Sequence, residues 1–237
     1  MTRTLITERQ ILEAVARGCA RLEIPHDALV TPLAADAASA KKLVLIRATP
    51  GQPQSVPGAT PLLSHAAPPQ SGAVPAALPS VTNPFQKPVV VIGSDHGGFE
   101  LKSQLAEHIR GQGFQVEDAG TKSAEPCDYP DFAYAVGSLV ASGGATVGIM
   151  IDGAGIGSCM VVNKIPGIRG ACCTHEFMAR NAREHNNANV LTLGSRVVGL
   201  EVAKAIVDTF LRTAFAGGRH EGRVQKIMEV DQKYRRK

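Results

Sequence analysis

From about residue 87 onward, short apolar runs alternate with longer segments in which apolar residues recur every three or four positions. Five runs are predicted as strands: residues 89–92, 114–117, 146–151, 168–173 and 190–193. Six segments have the periodicity of amphipathic helices: residues 99–111, 131–141, 159–164, 176–185, 200–215 and 221–234. Repeated strand–helix units predict a parallel sheet with helices on both faces. We therefore predict a three-layer α/β/α domain with a five-stranded, parallel, Rossmann-like sheet at residues 88–237.

A different pattern precedes this domain. Most of the 15 prolines of the chain fall between Thr49 and Pro88, among Gly, Ser, Ala and Gln. Such a composition buries too little apolar surface to offset the entropy lost on ordering. Residues 49–87 are therefore predicted to be a disordered, flexible linker.

Residues 1–48 are predicted to form a short N-terminal helical module. Thr4 or Thr7 could cap a helix that Pro25 ends, and residues 42–48 could be a strand. The apolar positions of the helix would form one stripe: Ile11, Leu12, Val15, Cys19 and Leu22. Two interpretations stay open. The module could be a flap that packs on the main domain, or a docking peptide that lays its stripe into a partner's groove.

Composition narrows the function classes. Of 237 residues, 44% are hydrophobic and 19% charged, as in globular proteins. The net charge is only +4 and there is no Trp, so no nucleic-acid surface is predicted. No run of 18 apolar residues occurs, so no membrane span is predicted. Five cysteines without a CxxC pattern indicate reduced thiols, no zinc site and a cytoplasmic location.

Two loops that follow predicted strands could carry chemistry. The first places Asp95 and His96 after the first strand. Asp95 alone could be a helix cap, but a histidine followed by two glycines suits the approach of a ligand. The second loop, residues 152–158, follows the third strand and opens into a helix. Its alternate glycines could let backbone amides converge on a phosphate or an oxyanion, or could serve only tight strand–helix packing.

Two further segments are rich in polar groups. Residues 183–189 contain His185, which could titrate or could merely cap the C-terminus of a helix. Residues 217–223 place Arg219 and Arg223 four positions apart at a helix start, where they could bind a phosphate monoester or form a solvated basic face. Sites in parallel sheets lie at the carboxyl ends of the strands, where we expect all these segments to meet.

Seven segments, in this order, resemble the ribose-5-phosphate isomerase B and galactose-6-phosphate isomerase subunit family: GSDHGGFELK, DYPDFA, GAGIG, NKIPGIR, REHNNANVL, LGSRVVG and GGRHEGRV. The resemblance covers about residues 89–233. It implies a cofactor-free aldose–ketose isomerase of sugar phosphates, most simply ribose 5-phosphate to ribulose 5-phosphate. It also implies a homodimer whose active sites form between subunits. The alternatives are an isomerase of allose or galactose 6-phosphate type, and an inactive phosphosugar-binding or assembly protein.

The resemblance also assigns roles to individual residues. Those expected to bind the substrate phosphate are His96, Arg196, Arg219 and Arg223. Those expected to contact the sugar and help to open its ring are Asp95 and His185. Those expected to line the pocket or stabilise the enediolate are Tyr129, Gly153, Gly155, Gly157, Ser158 and Asn186.

The sequence departs from the family pattern at the catalytic base. Many members carry a cysteine where this chain has Asp152 and a threonine where it has Ala154, and others use a glutamate where it has Ser158. Isomerisation through an enediolate needs a base. Asp152 is our candidate if burial raises its pKa, although converging amides would lower it. Cys159 is the fallback thiolate, with an inert core cysteine as the other interpretation of this residue.

The N-terminal module carries a resemblance of its own. Its segments TERQILEAV and PHDALVTPLA look like extensions found on enzymes associated with bacterial microcompartments. This resemblance implies a shell or microcompartment partner that residues 1–48 would bind.

Overall fold

The computed structural model describes residues 4–48 and 88–235. The linker predicted at residues 49–87 lies outside the described residues. No helix in the described ranges is long and apolar enough to cross a bilayer.

The N-terminal module contains four strands and two helices. In chain order they are β1 Leu5–Ile6, α1 Glu8–Ala16, β2 Arg21–Ile24, β3 Leu29–Val30, α2 Pro32–Ala40 and β4 Val44–Arg47. β1 pairs in parallel with β3, and β2 pairs in parallel with β4. The module is therefore two copies of a strand–helix–strand unit, and each copy contributes one strand to each two-stranded sheet.

The repeat extends to the residues that begin and end each helix. Thr7 and Thr31 are the N-caps, and the Thr31 hydroxyl accepts a hydrogen bond from the Ala34 amide at 3.2 Å. Gly18 and Lys42 have left-handed backbone conformations, with φ of 77° and 56°, shortly after the two helices. These turns reverse the chain so that each helix is followed by a strand.

The predicted apolar stripe of the module is wrong beyond residue 16. The helix ends at Ala16, so that Cys19 lies outside it and Leu22 belongs to β2. Leu12 is 43% exposed, whereas Ile11 is fully buried. Both helices pack instead around a small core of their own: Ile6, Ile11, Ala14, Ile24, Ala28, Ala34, Ala38 and Leu43.

The main domain confirms the predicted three-layer architecture. Its elements are β5 Val89–Ser94, α3 Phe99–Gly111, β6 Gln115–Asp118, α4 Tyr129–Ala141, β7 Val147–Asp152, α5 Ile156–Val162, β8 Gly170–Cys172, α6 Glu176–Asn186, β9 Val190–Gly194, α7 Leu200–Arg212 and α8 Glu221–Arg235. The five strands β5 to β9 form one parallel sheet in the order β6-β5-β7-β9-β8.

The two faces of the sheet are covered by different helices. Alternate side chains of β5 point to opposite faces, so Val90 and Ile92 join one core cluster and Val91 joins the other. The first cluster contains residues of α3, α6 and α7, and the second contains residues of α4 and α5. Gly148 lets α4 approach the sheet closely, because a Cβ at that position would lie 2.7 Å from Val136 Cγ1.

The terminal helix α8 differs from the others because none of its described residues is buried. Ile227, Val230 and Tyr234 are spaced three and four positions apart and are 46%, 59% and 67% exposed. This spacing places them on one side of the helix. Within one chain this stripe is therefore largely exposed to solvent.

Candidate active site

One group of predicted site residues meets at the carboxyl edge of the sheet. The Asp95 amide donates to the Ile151 carbonyl at 3.1 Å, which joins the loops after β5 and β7. The Arg196 amide donates to the Gly153 carbonyl at 3.1 Å. We name this group the carboxyl-edge cluster: Asp95, His96, Tyr129, Asp152, Gly153, Gly155, Gly157, Ser158 and Arg196.

Tyr129 packs directly on the glycine loop of this cluster. A Cβ at Gly157 would lie 2.6 Å from Tyr129 Cζ and 2.8 Å from its hydroxyl oxygen. A side chain at position 157 would therefore require the ring of Tyr129 to move. The contact places the phenol hydroxyl beside the first turn of α5.

Asp95 and His96 are held in different ways. The Asp95 carboxylate accepts a hydrogen bond from the Gly98 amide at 3.0 Å and is only 8% exposed, so it does cap the short helical turn at His96–Gly98. His96 is exposed, and its Nδ1 lies 3.2 Å from both the amide nitrogen and the carbonyl oxygen of Cys127. The backbone at Cys127 therefore orients the His96 ring whichever tautomer is present.

Asp152 ends β7 and lies beneath the glycine loop. Its Oδ1 accepts hydrogen bonds from the amides of Ala154, at 2.8 Å, and Gly155, while its Oδ2 accepts from the Ser158 amide at 3.0 Å. Burial alone would raise the pKa of this carboxyl, but Ser158 and the three amides outweigh it and lower the pKa. The Ser158 hydroxyl contributes through proximity, although it does not meet hydrogen-bond geometry. Asp152 is therefore an ionised carboxylate at neutral pH.

This arrangement corrects two expectations about the glycine loop. The pKa of Asp152 moves in the direction opposite to the one that we required of a base. The amides of Gly155 and Ser158 cannot stabilise an enediolate in this arrangement, because they already donate to the protein's own carboxylate. Gly153 and Gly157 remain the predicted donors. The fallback thiol of Cys159 lies 3.6 Å from the Gly170 carbonyl and faces the neighbouring strand.

A second group of predicted residues lies at the opposite edge of the sheet. His185 and Asn186 end α6, which runs back from the carboxyl edge, and Arg219 and Arg223 follow α7, which also runs back. The strand β9 between these edges has five residues and spans about 16 Å. The expectation that all the segments meet at the carboxyl ends is therefore wrong for these four residues within one chain.

The second group is organised around a histidine that our sequence analysis missed. The rings of His185 and His220 stack with centroids 4.2 Å apart and an interplanar angle of 8°. Asn181 Nδ2 lies 2.9 Å from His185 Nδ1, and Arg219 Nε donates to His220 Nε2 at 3.4 Å. We name this group the amino-edge cluster: His185, Asn186, Arg219, His220 and Arg223. The position of His220 between the two arginines in sequence was the available signal.

The surroundings of His220 favour the neutral form of its ring. Burial lowers its pKa, and the nearby His185, Arg219 and Arg223 lower it further. Its Nε2 accepts from Arg219, so the ring proton belongs on Nδ1, which is buried and has no hydrogen-bond partner among the described residues. An uncharged His220 can stack on His185 without adding a further cation beside the two arginines.

Known proteins are similar to this chain over its main domain. The family profile described as Ribose/Galactose Isomerase matches residues 90–227. Ribose-5-phosphate isomerase B of Escherichia coli (strain K12) is 44% identical over 144 residues, which are 61% of this chain and 97% of that protein. The solved ribose-5-phosphate isomerase B of Clostridium thermocellum is 51% identical, with a TM-score of 0.61, over 62% of this chain and 99% of that one.

A further solved structure contains a sugar phosphate. Ribose-5-phosphate isomerase B from Mycoplasma genitalium, with bound ribulose-5-phosphate, is 40% identical, with a TM-score of 0.60, over 62% of this chain and 99% of that one. The profile match covers more than half of the 237 residues, and the relatives match along nearly their whole length. The chain therefore belongs to the ribose/galactose isomerase family.

Proposed function

We propose that this protein is a ribose-5-phosphate isomerase that works as a homodimer with two shared active sites. The observation that carries the proposal is the division of the site residues between two edges of one sheet. The carboxyl-edge cluster supplies carboxylates and a tyrosine, and the amino-edge cluster supplies two arginines and two histidines. Neither half alone has both a phosphate-binding group of arginines and a candidate base.

A second copy would complete each site. About 16 Å separate the two edges within one chain, which is too far for one pentose phosphate to bridge. A two-fold dimer in which the carboxyl edge of each copy faces the amino edge of the other would form the same contact twice. Arg219 and Arg223 of one copy would then bind the phosphate of a sugar whose carbon atoms lie beside Asp152 of the other.

Exposed apolar side chains support this assembly. At the carboxyl edge, Ile156, Phe177 and Val197 are 56%, 69% and 54% exposed at or just before the first turns of α5, α6 and α7. At the other edge, Ile227 and Val230 belong to the uncovered stripe of α8. Apolar patches of this kind mark protein interfaces. Each patch would cover the other in a reciprocal dimer.

The mechanism follows from the groups at each edge. Asp95 and His185 would open the furanose ring by proton transfer to and from its oxygens. Asp152 would then move the proton from C2 to C1. Among the described residues its Oδ2 accepts one amide, and a carboxylate oxygen has two lone pairs, so a second lone pair would be needed for the carbon-bound proton. Asn186 and the amides of Gly153 and Gly157 would stabilise the enediolate.

The remaining predicted contacts concern the phosphate and the pocket wall. His96 would join the two arginines of the second copy on the phosphate, with Arg196 in support. Tyr129 would line the pocket from above Gly157. No cofactor is needed, because the reaction only transfers protons between adjacent atoms.

One observation favours a second function. The lowered pKa of Asp152 makes it a weak base at the position where many family members carry a cysteine. A phosphosugar-binding protein without turnover would have these properties. It would retain the arginines and histidines that bind phosphate.

Proton NMR in D2O would separate these functions. An active isomerase should incorporate deuterium at C2 of ribose 5-phosphate, and allose and galactose 6-phosphate in the same panel would report on six-carbon substrates. Binding of these sugars without exchange at C2 would refute the isomerase and support the binding protein. Absence of both binding and exchange would exclude both.

We also propose that residues 1–48 bind a microcompartment or shell partner in the cytoplasm. The support is their resemblance to such extensions, together with the outward side chains of Leu12, Leu33 and Val44, which are 43%, 46% and 53% exposed. Co-purification of shell proteins with the full chain should be lost in a Leu33→Asp/Val44→Asp variant. Retention of the shell proteins by that variant would refute this proposal.

A further inference from the structure

The N-terminal module packs against the main domain beside the carboxyl-edge cluster. Leu5 and Leu29, which are partners in β1 and β3, lie against the core cluster of α4 and α5. The Thr31 side chain lies beside the Asp131 carboxylate in the first turn of α4. These two residues are only 0% and 6% exposed. A buried polar contact beside an apolar contact therefore joins the module to α4.

The module also reaches the loop that precedes α4. We name residues 121–128 the active-site loop. Arg9 Nη1 donates to the Pro126 carbonyl at 3.5 Å, and Glu13 orients the same guanidinium by accepting from its Nε at 2.9 Å. A cavity of about 430 Å³, lined by residues of both, lies between the module and the beginning of the loop. The hydrogen bond from Arg9 is made at the C-terminal end of the loop, one residue before Cys127.

The active-site loop has few other supports. It contains no helix or strand, and residues 122–126 are all exposed. At its beginning, the Thr121 carbonyl accepts from Lys102 Nζ at 2.7 Å. At its end, the Cys127 backbone holds Nδ1 of His96. The position of the loop end therefore determines how the His96 ring is presented.

We infer that the N-terminal module braces the active-site loop and thereby positions His96. The role of His96 in binding phosphate rests on the proposed function, whereas the brace itself does not. The relatives match the main domain and not this module, so the brace is an addition to a domain that folds in them without it. The module is a positioning element and contributes no group to the reaction.

A double variant in the full chain tests the brace. Arg9→Ala/Leu29→Ala removes the contact with Pro126 and part of the apolar contact with α4. The matched control is Arg17→Ala/Val44→Ala, which removes one arginine and one aliphatic side chain from exposed positions of the module. A second test variant begins at residue 88 and lacks the module.

The first measurement is the rate at which iodoacetamide alkylates Cys127, followed by peptide mass spectrometry. Cys127 is half-buried, and Cys173, which is 1% exposed, is the internal reference. Loss of the brace should raise the alkylation rate at Cys127 by about three- to tenfold, because the free energy needed to open the loop becomes smaller. The control should match the wild type. Equal rates at Cys127 in all proteins would overturn the brace, even if no sugar is isomerised.

The second measurement is the kinetics with ribose 5-phosphate. Both brace variants should raise KM by about three- to tenfold and leave kcat within about twofold, because phosphate binding is weakened while the base is untouched. Faster alkylation with an unchanged KM would overturn the link from the loop to His96. A fall in kcat alone would contradict a positioning role that acts through the phosphate.

Discussion

Replacing Asp152 by the cysteine that many family members carry gives a direct test of the base. The side chain at this position ends β7 and accepts three amide hydrogen bonds as a carboxylate. Its pKa lies below the ordinary value of about 3.9, so it is ionised at every pH above about 5. A thiol has an ordinary pKa of about 8.5 and becomes a base only in mildly alkaline solution.

The magnitude follows from the fraction of each base that is ionised. Between pH 6 and pH 9 the ionised fraction of Asp152 stays near unity. An Asp152→Cys thiol of ordinary pKa changes from about 0.3% to about 75% ionised, which is more than about 10²-fold. If the loop amides lower the thiol pKa by about one unit, the change is still about thirtyfold. The ratio of wild-type to variant rate should therefore fall at least thirtyfold between these pH values.

The assay is the rate of deuterium entry at C2 of ribose 5-phosphate, measured by NMR for both proteins across this pH range. Taking the ratio cancels the titration of the substrate phosphate, near pH 6, and of the histidines, because both proteins share them. Asp152→Asn should show no exchange, and Cys159→Ser should follow the wild-type profile. A ratio that does not change with pH, or exchange by Asp152→Asn, would refute Asp152 as the base.

Three further predictions concern stability and assembly. The buried Lys102 donates to both carboxylate oxygens of Asp118, at 2.7 and 2.8 Å. Lys102→Met should therefore lower the free energy of unfolding, measured in urea, by about 2 to 4 kcal/mol. A decrease of less than about 1 kcal/mol would contradict this prediction. Burial raises the pKa of the Asp131 carboxyl. The protonated carboxyl therefore stabilises the folded state at pH values below its pKa in the unfolded chain. This stabilisation is lost as the pH rises through the pKa in the folded state. Asp131→Asn should therefore be more stable relative to wild type at pH 7 than at pH 4 in urea melts, and an equal difference at both would contradict it. Ile227→Asp/Val230→Asp should be monomeric by light scattering and inactive, whereas a dimeric variant would contradict the proposed interface.

The main domain was predictable because its signals are local and repeated. The strand at residues 89–92 and the helix at 99–111 were predicted within two residues of the bounds of β5 and α3. The length of an apolar run and the spacing of its apolar residues distinguish a strand from a helix. The N-terminal module was harder. Its strands β1 and β3 have two residues each, which is too short to show alternation. Their pairing comes from tertiary contacts between the two copies of the repeat.

The conformation of Asp152 could not be read from its neighbours. The glycine loop indicates that amides converge, but it does not say what they bind. The rotamer that turns the carboxylate beneath the loop satisfies Ala154, Gly155 and Ser158 within the chain. The same glycines that would serve a substrate anion therefore serve an internal one. Only side-chain coordinates distinguish the two uses.

The placement of His185, in contrast, could have been derived from the sequence. In a parallel sheet each connecting helix runs back against the strands, so a residue that precedes a strand lies at its amino edge. His185 precedes β9, and Arg219 follows a helix that runs the same way, whereas Asp95 and Asp152 follow strands. Chain order alone thus assigns the groups to opposite edges. If all of them bind one sugar phosphate, a single chain cannot supply the site, and the second copy is a requirement of the chemistry.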